Sequence, residues 1–299
     1  LHKGQDAGAY NQNQDRLTVE FVRRWYDLWR ERPGTGRRVN SGGAKIVFSD
    51  TQTYGRGAEN YRRSGVVDPL RIPKDGFFAH KVMWDGWVDV ENYHTHIIGH
   101  WNYTPDVRKP VYVVSSGDAV ELFVNGKSKG FGRQDYRFLF TFDSVQWEKG
   151  TIEAISYDEQ HKELSRHSFQ TVGEPERLKL TLMHGPQGVF ADGADIAMVQ
   201  VEVVDDNGEI AQAADNYVLA KELPVECGIT RVMIRSTTQP GNVVLKVAAE
   251  GLASEEIAFS TQPVEVKNGL STFFPSVGLP SRFDRGETPS SPSYKETKV

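Results

Sequence analysis

The sequence predicts an α/β segment followed by two all-β modules of Ig-like sandwich type. Three observations carry this reading. Apolar residues recur at helical spacing only in the first hundred positions. After about residue 105, short strands follow one another with turn residues between them. That β pattern then occurs a second time, beyond a boundary at Gly173, Glu174 and Pro175. With 38% hydrophobic and 25% charged residues over 299 positions, the composition is that of a folded protein with room for two or three domains.

In the α/β segment, Asp15 caps a helix whose residues Leu17, Phe21, Val22, Trp25, Leu28 and Trp29 keep helical spacing until Pro33 and Gly34 stop it. Lys45, Ile46, Val47 and Phe48 read as a short buried strand ending in Ser49, Asp50 and Thr51. A polar loop with glycines follows over 52–57, and a second helix starts near Pro73 and runs to about Trp84. Helix, buried strand, polar loop and helix is the order of a parallel α/β unit.

The first β module takes strands at 111–114, 120–124, 138–140 and 152–155. Asn125 and Gly126 are its strongest turn signal, because both central positions of a type I′ turn need positive φ. The second module takes strands at 178–182, 198–204, 243–249 and 257–259, with a turn over 205–208. From about Asn268 the chain is rich in Pro, Ser and Gly and is expected to run extended over the surface. The predicted divisions are 1–105, 106–174, 175–265 and 266–299.

Several function classes are disfavoured. A net charge of −5 argues against nucleic acid, since phosphate binding needs a clustered basic surface. Arg23, Arg24, Arg30 and Arg32 alternate with acids along or just after the first helix and read as a solvated face. Cys227 is the single cysteine, which excludes an intrachain disulfide and a zinc site built on several thiolates. No run of about 20 apolar residues predicts a membrane-spanning helix, so no membrane partner is expected. There is no glycine-rich phosphate loop, nucleophile elbow or zinc-binding helix motif, and no cofactor is assigned.

The stretch from Trp84 to Trp101 concentrates groups suited to a saccharide: Trp84, Asp85 and Trp87, then His94, His96 and His100, then Asn102 and Tyr103. Aromatic faces stack on the apolar C–H faces of sugar rings, while Asp, Asn and His hydrogen-bond hydroxyls. The same aromatics also suit cementing one domain to the next, and the sequence leaves both roles open. His94 and His96 share a face if they lie on a strand, but no third ligand is evident. They read as structural histidines held by backbone hydrogen bonds, and no metal is assigned. Asp50 and Thr51 follow the end of the predicted buried strand, which in a parallel barrel is the end that carries the active site. A capping role is the alternative. Asp50, Thr51, Trp84 and Trp87 are therefore the substrate-binding candidates. Glycoside hydrolysis uses two carboxylates. Glu59, Asp85, Asp89 and Glu91 are the other acids nearby, but none directly follows a second recognisable strand, and no catalytic residue is assigned.

The run from Arg62 to Phe77 and the run from His96 to Tyr103 closely resemble the end of the barrel in glycoside hydrolase family 2. The stretch from Val120 to Gly130 resembles the first module after the barrel in β-galactosidases of that family. Residues 150–157 and 191–197 are similar to its C-terminal sandwich domains. The resemblance covers nearly the whole chain. It implies the C-terminal part of a (β/α)8 barrel followed by two Ig-like β-sandwich domains, in a retaining β-galactosidase-like enzyme acting on an oligosaccharide or galactoside. It also implies that residues 17–31 follow the seventh barrel strand and that 45–50 are the eighth. The catalytic glutamates are then expected upstream of Leu1, in the N-terminal part of the same enzyme, and the chain alone is expected to be inactive. A closed barrel takes about 250 residues, whereas the first hundred here supply one or two β/α units. The chain also starts at Leu1 rather than Met and shows no signal peptide, which is read as the mark of a portion of a longer protein. The resemblance further implies a last sandwich shortened near Ala214 and Asp215, room for a homo-oligomer, and a periplasmic or secreted location. The alternative is a non-catalytic carbohydrate-binding or architectural β-sandwich protein. For the two β modules an architectural role is read, because no exposed aromatic row is evident in them.

Overall fold

A computed structural model describes residues 15–30, 47–52, 61–88, 91–208, 217–218, 223–225, 228–267 and 270–271, with the backbone alone at Trp87 and some other element ends. The described residues up to Thr171 form one compact unit and those from Val172 a second. Within these residues the chain is mostly β, and no helix is long and apolar enough to cross a membrane.

The first unit contains, in chain order, α1 (Asp15–Arg30), β1 (Thr51–Gln52), β2 (Tyr61–Arg62), α2 (Asp75–Val88), β3 (Thr95–Ile97), β4 (Arg108–Ser115), β5 (Ala119–Val124), β6 (Lys127–Phe131), β7 (Arg133–Tyr136), β8 (Leu139–Gln146), β9 (Thr151–Tyr157) and β10 (Glu163–Gln170). Two four-stranded antiparallel sheets, ordered β3-β4-β8-β7 and β10-β9-β5-β6, face each other. Alternation on β5 turns Val120, Leu122 and Val124 inward, where they meet Val113, Phe140, Phe142, Ile152 and Trp101. The runs 111–114 and 138–140 do not alternate because β4 and the start of β8 are covered on both faces. Val113 and Phe140 enter the sandwich, while Val114, Phe138 and Leu139 lie under Val19 and Val22 of α1 and Ala79, Val82 and Met83 of α2.

Asn125 and Gly126 have φ of 50° and 73° and close the hairpin at Val124↔Lys127, as their residue types require. Helix α2 runs four residues past its expected end at Trp84. Its Gly86 allows close approach: a Cβ there would lie 2.5 Å from the Phe138 ring. The strand expected at 45–48 takes a different form. Residues 45–46 lie outside the described residues and 47–48 are not strand. Ser49 forms a parallel bridge with Val67, the Phe48 carbonyl accepts the Val66 and Val67 N–H groups at 2.9 and 3.1 Å, and Asp50 N–H donates to the Val67 carbonyl at 3.0 Å. Phe48 is 53% exposed rather than buried. Among the described residues, the ladder flanks this segment on one side.

The second unit contains β11 (Arg177–Met183), β12 (Val189–Phe190), β13 (Ile196–Val204), β14 (Tyr217–Val218), β15 (Leu223–Pro224), β16 (Ile229–Arg235), β17 (Gly241–Val247), β18 (Glu255–Gln262), β19 (Val266–Lys267) and β20 (Leu270–Ser271). Sheets β11-β13-β16 and β12-β18-β17 enclose Leu178, Val199, Val201, Val203, Val225 and Val247. The position near Ala214 and Asp215, Cys227, and nearly all of the tail from 268 lie outside the described residues.

Candidate functional site

The candidate site is built around the segment that leads into α2. Ser49 and Asp50 sit against residues 63–74, and the contact is knit by polar groups. Lys74 Nζ lies 2.6 Å from Asp50 Oδ2, and both side chains are only 4% exposed. Gly65 N–H donates to Asp50 Oδ1 at 2.8 Å, and Lys74 Nζ also donates to the Arg63 carbonyl at 3.2 Å. Glycine is required at 65, because a Cβ would fall 2.3 Å from the Asp50 amide nitrogen. Arg71 donates to Ser49 Oγ at 2.6 Å, and Ile72 N–H donates to Asp68 Oδ1 at 2.7 Å. The Asp50 carboxylate is thus bound through both oxygens inside the protein. Thr51, half-buried, begins β1 and pairs with Arg62 of β2.

Helix α2 starts directly after Lys74, and its two aspartates reach β3 and the residues beside it. Asp75 Oδ1 lies 2.9 Å from His96 Nε2, and Gly99 N–H donates to Asp75 Oδ2 at 2.9 Å. Burial pushes the Asp75 carboxyl above its ordinary pKa, against the pull of His96 and the Gly99 N–H. Asp85 Oδ2 lies 3.2 Å from His94 Nε2 and also pairs with Lys81. The His96 ring stacks on Phe78 with centroids 4.5 Å apart, and His167 of β10 lies 4.6 Å away. Ile97 N–H donates to His167 Nδ1 at 3.1 Å, so that nitrogen is an unprotonated acceptor. Burial, aided by His96, holds His167 down at a pKa of about 4. The Nε2 atoms of His94 and His96 meet carboxylates of α2 rather than the backbone partners expected. Among the described residues no group of three His, Cys, Asp or Glu is placed to hold a metal ion.

The aromatics beyond β3 cement the unit. Trp101 is buried, its Nε1 donates to the Glu148 carbonyl at 3.0 Å, and Trp147 Nε1 donates to the Trp101 carbonyl at 3.1 Å. Lys109 bridges Asp15 of α1 at 2.6 Å and the Tyr103 hydroxyl at 2.8 Å, tying the first helix to β4. Trp84 differs from these: it is 46% exposed on α2. Ten positions along the helix separate it from Lys74, about 15 Å by helical rise. Asp50 and Trp84 therefore stand toward opposite ends of α2. Trp87 lies in α2, and its side chain is outside the described residues. Sequence reasoning missed Lys74, Asp75 and His167. Only Asp75 carried a local signal, as an acid in the first turn of a helix.

Residues 107–165, from the start of β4 into β10, match a family described as a domain of unknown function, DUF4982. A β-glucuronidase of Formosa agariphila is 34% identical over 282 residues, covering 86% of this chain and 28% of that protein. A β-galactosidase of Bacteroides ovatus is 34% identical over 155 residues, covering 52% of this chain and 17% of that protein. A solved β-glucuronidase from glycoside hydrolase family 2 shares 33% identity and a TM-score of 0.74, covering 91% of this chain and 30% of its own. A β-glycosidase of Bacteroides vulgatus, at 19% identity and a TM-score of 0.61, shares the fold. The chain thus spans less than a third of the length of each curated relative named here. By sequence and by structure, the chain is similar to glycoside hydrolases of family 2 over a part of their length.

Proposed function

We propose that this chain is the closing part of the catalytic (β/α)8 barrel, with the Ig-like sandwiches that follow, of a retaining β-glycosidase acting on β-galactosides or β-glucuronides. The observation that carries the reading is the 34% identity over 282 residues to a protein named a β-glucuronidase, a stretch too long to reflect one shared module. Because that match spans 28% of the relative, the acid/base and nucleophilic carboxylates are assigned to sequence outside this chain, its main partner.

In this reading the chain supplies a wall of the sugar site. Trp84 offers an aromatic face to the substrate, with Trp87 three residues further along the helix and the Thr51 hydroxyl as further candidates. Asp50 is a positioning residue: it fixes Lys74 and the 63–74 segment rather than presenting a free carboxylate. The first sandwich, packed against both helices, braces this wall, and the surroundings of the enzyme are periplasmic or extracellular.

The test is hydrolysis of p-nitrophenyl β-galactoside and β-glucuronide by this chain alone and by a longer polypeptide that carries it at the C-terminal end of a complete barrel. The longer polypeptide is expected to release nitrophenol and the chain alone to release none. Turnover by the chain alone contradicts the assignment of the carboxylates, and silence from both contradicts the glycosidase reading.

A further inference from the structure

We propose that the outward face of the β10-β9-β5-β6 sheet carries a second saccharide-binding surface, a trough of three aromatic rings that takes a single soluble, uncharged oligosaccharide chain. Phe131, at the end of edge strand β6, is 55% exposed. Its ring centroid lies 6.1 Å from that of Tyr157 on β9 and 6.2 Å from that of His161 in the turn between β9 and β10. Tyr157 and Phe131 share the outward face with Glu121, since Val120 and Leu122 point into the core.

The turn that carries His161 is fixed by hydrogen bonds of its own backbone. His161 has φ of 62°, in the left-handed region that non-glycine residues enter only under constraint. Asp158 imposes it: its carboxylate accepts the Gln160 and Lys162 N–H groups at 2.9 and 2.8 Å, and its carbonyl accepts the His161 N–H at 3.1 Å. A ring carried on a fixed turn lowers the ordering cost of binding.

The chemistry of the rim selects the ligand. Sugar C–H groups carry slight positive charge and meet the negative faces of aromatic rings favourably. Glu121, which accepts a hydrogen bond from Ser128, and Glu163, held by Arg166 at 2.8 and 2.7 Å, flank the rings and suit sugar hydroxyls. The Glu121 carboxylate repels phosphate and uronate groups, whereas Glu163 is neutralised by its pair with Arg166, and this disfavours nucleic acids and acidic glycans. The Tyr157 and His161 rings are inclined 57° and 55° to Phe131, so the surface is not the flat platform that an insoluble crystalline polysaccharide needs.

The glycosidase reading supplies only the chemical class of this ligand, and the experiment reads binding rather than hydrolysis, so either can fail alone. The whole chain is titrated by calorimetry with soluble β-1,4-linked tetrasaccharides of galactose, glucose and xylose, with a galacturonate tetrasaccharide, and with insoluble cellulose. At least one neutral tetrasaccharide is expected to bind. Phe131→Ala should weaken that binding about tenfold or more, and Phe131→Trp should retain it. Absence of binding by all three neutral chains, equal binding by Phe131→Ala, or preference for the galacturonate chain or cellulose overturns the proposal.

Discussion

The corner where α2 meets the first sandwich and the outer rim of that sandwich both carry close pairs of opposite charge, put to different ends. In the corner, Asp50 and Lys74 pair at 2.6 Å with almost no exposure, and Asp75 and His96 pair at 2.9 Å. On the rim, Arg133 pairs with Asp135 at 2.8 Å and Asp143 at 2.6 Å, and Arg166 pairs with Glu163 at 2.7 Å, with both arginines more than half exposed. The distances are alike. Solvent already screens the rim charges before they pair, whereas a corner charge that loses its partner is stranded in a dry site. Burial, not separation, decides which pairs the fold depends on, and the dependent ones lie at the N-terminal end of α2.

That contrast can be broken first at Lys74. Lys74→Met leaves the Asp50 carboxylate buried without its counter-charge and is expected to cost about 3–5 kcal/mol, with most of the loss recovered in the Asp50→Leu/Lys74→Met double variant. All six tryptophans (25, 29, 84, 87, 101 and 147) belong to the first unit, so urea unfolding followed by tryptophan fluorescence reports that unit. A loss under about 1 kcal/mol would place this pair with the surface pairs.

The next effect is pH-dependent. His167 titrates near 4 in the folded chain against an ordinary value of 6.5, so between these values the unfolded chain binds the extra proton. Stability of the first unit should therefore fall as pH drops from about 6.5 to about 4, by up to roughly 3 kcal/mol. Asp75, raised above 3.8 by burial, contributes a slope of opposite sign in the carboxylate range, so the difference between wild type and His167→Gln isolates the histidine. If both proteins show the same profile, His167 is not the source. The smallest effect lies on the rim, where Arg133→Ala should leave the unfolding midpoint unchanged at any salt concentration. A clear, salt-sensitive shift there would remove the distinction between the two regions.

Much of the fold was legible because its signals are local. The Asn125–Gly126 hairpin follows from two residue types, and the doubly covered strands β4 and β8 show as unbroken apolar runs. The site was less legible because its contacts are distant in sequence. The partners of Asp50 and His96 lie 24 and 21 residues away, and nothing beside Lys74 or Asp75 marks them as partners. Trp101, open between sugar contact and packing, is settled by its burial and its bond to the Glu148 carbonyl. Phe131, between two glycines in a polar run, gave no hint of an exposed aromatic group, because Tyr157 and His161 join it only through strand pairing.

The central functional claim is that this chain shapes a sugar site without performing the bond cleavage, and steady-state kinetics of Trp84→Ala in the longer polypeptide test it most directly. Loss of a stacking face should raise KM for the aryl β-glycoside about tenfold while kcat changes much less. Unchanged KM and kcat would show that α2 does not face the substrate, and the claim would fall.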